Sequence, residues 1–184
     1  MKVKAKKNIK IAFISLLISI MSFTLIGCSG NLSKKVVKSL KSVKTATVMV
    51  AVKDGETEVY CLNKTMSFID GGANVATTTK KLNPNSFGFK EETLNEFVEN
   101  ATAKDSILLN LNKKIFESID KDGDVTTVKV LKSKANEFFG VADAKANSDV
   151  VASFVFEKKK LKSISLSYTL VSGRTVELTA TYTY

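Results

Sequence analysis

Residues 151–184 read VASFVFEKKKLKSISLSYTLVSGRTVELTATYTY, and their periodicity decides the fold. Ala152, Phe154 and Phe156 alternate with Val151, Ser153 and Val155. Ile164, Leu166, Tyr168 and Leu170 alternate with Ser163, Ser165, Ser167 and Thr169. Val176, Leu178, Ala180, Tyr182 and Tyr184 alternate with Thr175, Glu177, Thr179, Thr181 and Thr183. Neighbouring side chains of a strand point to opposite faces, so strict period two marks strands with one buried and one wet face. Residues 157–160 and Ser172-Gly173 read as the turns between them.

Working toward the N terminus, the same period returns at Ala46, Val48, Val50 and Val52, followed by the hairpin signal Asp54-Gly55. Residues 56–63 read as the return strand, 64–69 as a third strand and 74–81 as a fourth, with Asp70-Gly71-Gly72 turning the chain. Asn83-Pro84-Asn85-Ser86 marks a loop. The spacing of Leu94, Phe97, Val98 and Ala101 predicts a helix over 90–102. Leu108, Leu111, Ile115 and Ile119 predict a second over 105–119. A strand at 125–131, a short helix at 133–142 and a loop at 145–149 complete the body. Ahead of it, Ser33 is the candidate N-cap of an amphipathic helix of about ten residues. Its stripe is Val36, Val37, Leu40 and Val43, with Lys34, Lys35, Lys38, Lys41 and Lys44 around it.

These elements make an α+β domain over residues 33–184. It is a curved antiparallel sheet of about eight strands, half-barrel-like, covered on one face by helices, because a sheet that wide twists and its apolar face needs a cover.

The first 28 residues carry a different message. Residues 1–10 hold five lysines and no acid, and residues 11–26 carry no charge, a basic and then an apolar region as in a secretory signal. Sixteen residues fall short of the roughly 20 a spanning helix needs. The run ends Leu25-Ile26-Gly27-Cys28, which resembles the lipobox of bacterial lipoproteins. The resemblance implies cleavage after Gly27 and a diacylglycerol thioether on Cys28. Residues 1–27 would then be a signal peptide and 28–32 a tether. The membrane partner would be engaged through diacylglyceryl-Cys28, on the outer face of the cell membrane.

Charge agrees with export. The chain has 28 Lys plus Arg against 18 Asp plus Glu, net +10, and no His. No acid precedes Asp54, and eleven lysines do, so residues 54–184 hold 17 basic and 18 acidic groups. The excess is N-terminal, and Arg174 is the only arginine, so nothing suggests a nucleic-acid partner. Lysines 34, 35, 38, 41 and 44 are expected to lie next to the membrane, where anionic headgroups attract them.

The element order also resembles the half-barrel fold of LolA-like lipoprotein carriers and their lipoprotein relatives of the LppX type, over residues 33–184. In that superfamily a curved sheet wraps helices around a cavity able to hold acyl chains. The resemblance implies a cavity lined by Phe68, Phe97, Phe138, Phe154, Phe156, Leu166, Tyr168, Leu178 and Tyr182, with residues 86–119 as a lid. The expected function is binding or carriage of a lipid or other apolar ligand. The alternative is a non-catalytic interaction or structural lipoprotein whose same side chains fill a core.

Catalysis has little support. Without His, Cys61 has no base to activate it, and a buried apolar role is expected. Asp120-Lys121-Asp122-Gly123-Asp124 fails as a calcium loop, since Val125 stands at the sixth position and Leu131 at the twelfth. No cofactor or metal is expected, and no protein partner is specified.

Overall fold

A computed structural model describes residues 31–83, 88–140 and 145–184. The expected signal peptide, Gly27, Cys28 and most of the predicted Asn83–Ser86 loop lie outside the described residues. A helix, α1 (Asn31–Ser39), opens the described chain and continues as the 3-10 turn Leu40–Ser42. Nine strands and one further helix follow: β1 (Thr45–Asp54), β2 (Thr57–Ile69), β3 (Gly72–Leu82), β4 (Phe89–Glu99), β5 (Ser118–Asp122), β6 (Val125–Val130), α2 (Ala135–Phe139), β7 (Val150–Glu157), β8 (Lys160–Thr169) and β9 (Thr175–Thr183). The protein is mostly β.

All strands join one antiparallel sheet in the order β4-β3-β2-β1-β9-β8-β7-β6-β5. The chain folds outward from β1 to the edge at β4, crosses to the opposite edge at β5, and folds back to β9. β1 and β9 then pair from Thr45↔Thr183 to Lys53↔Thr175 and join the two meanders. β4 and β5 are the two edges, so the sheet is open and forms no closed barrel.

Register fixes the faces. Val48, Lys64, Thr77 and Leu94 share one row across the first meander, and Val50, Leu178, Leu166 and Ala152 share a row across the joined centre. This face is apolar at its centre, and the predicted alternation of 151–184 holds there residue by residue. The opposite face carries Thr47, Thr65, Thr179, Thr181, Ser163 and Ser165, as expected of a wet face.

The cover consists of α1, the crossover of residues 100–117, and α2. Leu32, Val36, Leu40 and Val43 are all buried in the core against the sheet. Each such aliphatic contributes about 1.5–3 kcal/mol when fully buried. From the crossover come Ile107, Leu109, Leu111 and Ile115, and from α2 Phe138 and Phe139. Phe138 meets Phe116 and Phe139 edge-on, and Phe139 stacks on Tyr168 with centroids 4.7 Å apart.

Several expectations need correction. Residues 57–69 form one 13-residue strand, because nothing between Asn63 and Lys64 breaks the ladder with β1. The segment 90–102 is largely strand β4: its helical spacing is overridden by eleven paired positions with β3. An edge strand exposed on both faces shows no alternation for a reader to find.

The segment 105–119 is not a helix either. Asn110 Oδ1 accepts from Asn112 N and Asn112 Oδ1 from Lys114 N, both at 3.1 Å, and such local bonds compete with a helical ladder. What forms is the 3-10 turns Ala103–Ser106 and Lys113–Ile115, then β5. The cover is therefore mostly irregular chain rather than helices. α1 begins at Asn31, so Ser33 lies inside it. α2 is five residues long and ends at Gly140, whose φ of 64° suits glycine.

Gly72 has a different reason. A Cβ there would lie 2.2 Å from the Val98 carbonyl oxygen and 2.9 Å from the Phe97 ring, so only glycine lets β4 approach.

Candidate functional site

Six of the nine side chains expected to line a cavity meet on the covered face of β7, β8 and β9: Phe154, Phe156, Leu166, Tyr168, Leu178 and Tyr182. Phe138 joins them from α2. Phe138, Phe154 and Phe156 are 0–1% exposed, so their rings are closely packed by their neighbours. Phe68 is half-buried at the other end of the core, between it and a small cluster of Met66, Ala73 and Val75. Phe97 is not brought to the group. It stands on β4, 50% exposed, with its ring over Gly72.

Two polar atoms within the core are unusual. The hydroxyls of Tyr60 and Tyr182 are buried without a hydrogen-bond partner. Tyr60 lies beside Thr79, and Tyr182 beside Ser106, whose own hydroxyl donates to the Ala103 carbonyl at 2.6 Å. Burial pushes the Tyr60 phenol up to about 12 and raises that of Tyr182 further.

Lys64 is a buried lysine on the same face, near Glu96 and Asp105. Burial lowers its ammonium from the usual range while the two acids oppose that shift. Cys61 is not in the core. Its register opposite Ala51 and Lys80 places it half-buried on the wet face, and burial followed by the Glu58 charge raises its thiol, disfavouring thiolate. Among the described residues no group of three His, Cys, Asp or Glu could hold a metal ion, and no helix is long and apolar enough to cross a membrane. Asp122 and Asp124 flank the tip of the β5–β6 hairpin and are exposed.

A cluster of basic residues sits at one end of the sheet, where β7 ends, β8 begins, β9 ends and β1 begins. α1 lies across these ends. The Lys35 ammonium rests 3.5 Å from the centroid of Phe156 on β7, and Ser39 lies beside Tyr184 just past β9. The Tyr184 hydroxyl donates to the Leu161 carbonyl on β8 at 2.7 Å, tying the same elements together. Four of the five expected membrane-proximal lysines, Lys34, Lys38, Lys41 and Lys44, are exposed here. Lys35 is turned onto Phe156.

The structure adds lysines that the sequence marks only as a turn. Glu157 pairs with Lys160, so Lys158 and Lys159 form a two-residue hairpin loop. Both have positive φ, 48° and 67°, the signature of a type I′ turn, for which Asn-Gly is preferred. Lys160 lies 4.5 Å from the Tyr184 ring centroid, and Lys162 pairs with Glu157 at 3.1 Å. The sequence signal was a run of three lysines at a turn with neither Asn nor Gly.

The other candidate surface is the β4 edge. Nearly every residue of β4 is exposed, including Phe89, Leu94 and Phe97. By contrast β5 is five residues long and carries two aspartates and a lysine, a guarded edge.

No family model matches the chain, and no curated protein matches it. Among solved structures the chain is similar to an N-terminal dehydratase from the difficidin assembly line. The identity is 10%, over 83% of this chain and 82% of that one, with a TM-score of 0.20. A likeness that weak implies neither a shared fold nor a shared activity.

Proposed function

We propose that this protein is a non-catalytic lipoprotein, anchored through diacylglyceryl-Cys28 to the outer face of the cell membrane, that works through its surface. The observation that carries the reading is the pairing of the Leu25-Ile26-Gly27-Cys28 lipobox with exposed lysines on the first helix after it. Two acyl chains give stable anchoring where one gives only marginal binding.

Close packing of Phe138, Phe154 and Phe156 favours a filled core over an enclosed ligand site. The crossover of residues 100–117, expected as a lid, adds its own aliphatics to that core. An open sheet with one covered face is compatible with the half-barrel resemblance, and in this reading the space that would hold acyl chains is taken by side chains. The long β4 edge, exposed on both faces, supports an interaction role, since an unpaired strand can receive another strand.

Native mass spectrometry of the full chain extracted from membranes tests this. The expected species carries the covalent lipid alone. A stoichiometric additional lipid, lost on gentle activation, would overturn the filled core and restore the reading as a carrier of an apolar ligand.

A further inference from the structure

We propose that the lysine-bearing end of the sheet is a docking surface for anionic phospholipid headgroups. This surface consists of the β7–β8 tip Lys158-Lys159-Lys160 together with Lys34, Lys38, Lys41 and Lys44. It sets the orientation of the domain, with the sheet end down on the bilayer. The inference rests on the anchoring of Cys28 proposed above and adds residues far from the anchor in sequence.

Three observations converge. The first is reach. Three residue steps separate Cys28 from Asn31, and a chain extends at most about 3.6 Å per residue, so α1 starts within about 11 Å of the anchored residue. That bound is about 1.4 times the Debye length of about 8 Å at physiological ionic strength, so charges on and beside α1 act on headgroups only when the domain rests against the bilayer, and with partial screening.

The second is placement. Lys35 on α1 touches Phe156, whose strand ends one residue later at the Lys158-Lys159 turn. The tip is therefore carried to the same side as the anchor. Exposed acids at this end are Asp70 and Glu99 on one flank, Asp122 and Asp124 on the other, and Glu157 beside the tip; Glu157 is paired with Lys162 at 3.1 Å, which leaves the centre basic.

The third is backbone conformation. Lys158 and Lys159 both occupy the left-handed region, which disfavours residues with a Cβ. Asn-Gly would relax the turn, yet lysine stands at both positions, with a third lysine after them. All three are exposed, and among the described residues no acid pairs with Lys158 or Lys159, so they are available to an external anion.

The test is lysine footprinting on the full chain reconstituted in vesicles. The lipids are phosphatidylcholine alone or phosphatidylcholine mixed with phosphatidylglycerol. A water-soluble acetylating reagent is applied and the modified peptides are read by mass spectrometry. Lys132 and Lys145, exposed at the opposite end of the sheet, are the internal controls.

The expected result is that Lys158, Lys159, Lys160, Lys38 and Lys41 react about fivefold more slowly in the anionic vesicles than in the neutral ones. The controls do not change, and the difference disappears near 1 M salt, where the Debye length is about 3 Å. Equal reactivity of tip and control lysines in both vesicle types would overturn the proposal. Intact mass reports acylation separately: a chain without diacylglycerol on Cys28 overturns the anchoring. Footprinting with added vesicles then decides the docking surface alone, since protection of the tip upholds it and its absence overturns it.

Discussion

The Lys158-Lys159 turn makes a quantitative prediction. In the left-handed region a non-glycine residue costs about 1–2 kcal/mol, and less for Asn. Replacing the pair by Asn-Gly (K158N/K159G) should relieve about 2 kcal/mol of native-state strain. Against this, glycine adds about 0.5–1 kcal/mol of unfolded-state entropy. The net is a gain of about 1 kcal/mol, or about 2–4 °C in Tm for a domain of this size. Both side chains are exposed, so no packing is lost.

The double variant K158Q/K159Q removes the same charges but leaves the same backbone conformation, and should stay within about 0.5 kcal/mol of the parent. Thermal and urea unfolding of all three full-length chains in the same detergent provides the comparison, with the urea m-value expected to be unchanged. Asn-Gly should be the most stable of the three and, in vesicles, should dock less well. If Asn-Gly is no more stable than Gln-Gln, the turn is not strained and the argument for lysines held against local preference fails.

Other perturbations test the rest of the structure. Phe154→Ala removes a fully buried ring and should cost about 3–5 kcal/mol, measured by urea unfolding; a cost under 1 kcal/mol would mean that the core is loosely filled. Tyr60→Phe and Tyr182→Phe each delete a buried hydroxyl that makes no well-formed hydrogen bond, so each should leave stability unchanged or raise it, and a loss above about 1 kcal/mol would mean that Thr79 or Ser106 holds the hydroxyl after all.

The same phenols set an alkaline limit. The fold holds Tyr60 neutral up to about 12 while the unfolded chain ionises near the ordinary 10, so its contribution is complete below pH 10 and is lost as pH rises from 10 to 12. Tyrosinate absorbance from the buried phenols should therefore appear together with loss of circular dichroism, and ionisation of all four tyrosines near pH 10 in an intact fold would contradict it. Cys61, half-buried with its thiol raised, should react slowly with a disulfide reagent at neutral pH and fully in denaturant, at one thiol per chain; two thiols in denaturant would mean that Cys28 is free.

The strands of residues 151–184 were legible because each lies in the covered centre of the sheet, where one face is apolar and the other is wet. Legibility faded with distance from the cover. β4 pairs with β3 and is exposed on both sides, so Leu94, Phe97 and Val98 fell into helical spacing with nothing to contradict it. In the crossover, Leu108, Leu111 and Ile115 also read as helical. The deciding interactions there are side-chain-to-backbone bonds from Asn110 and Asn112, which a hydrophobic pattern does not register. For the site, Lys34, Lys38, Lys41 and Lys44 were visible as a cluster near the anchor. Lys158, Lys159 and Lys160 were visible only as a turn, because it takes the β7–β8–β9 pairing to bring them beside α1. Phe97 falls on the same helical stripe as Leu94 and Val98, which would turn it toward the core, and its strand instead places it at the sheet edge.

The claim on which the functional account rests is acylation of Cys28, and the intact mass of the denatured full-length chain, expressed in a bacterium and extracted from its membranes, tests it most directly. The account predicts a chain beginning at Cys28 with the mass of a diacylglyceryl group added there, and a Cys28→Ser variant that retains residues 1–27 without lipid. A membrane-extracted chain that still carries residues 1–27, or one cleaved elsewhere with an unmodified Cys28, would contradict it.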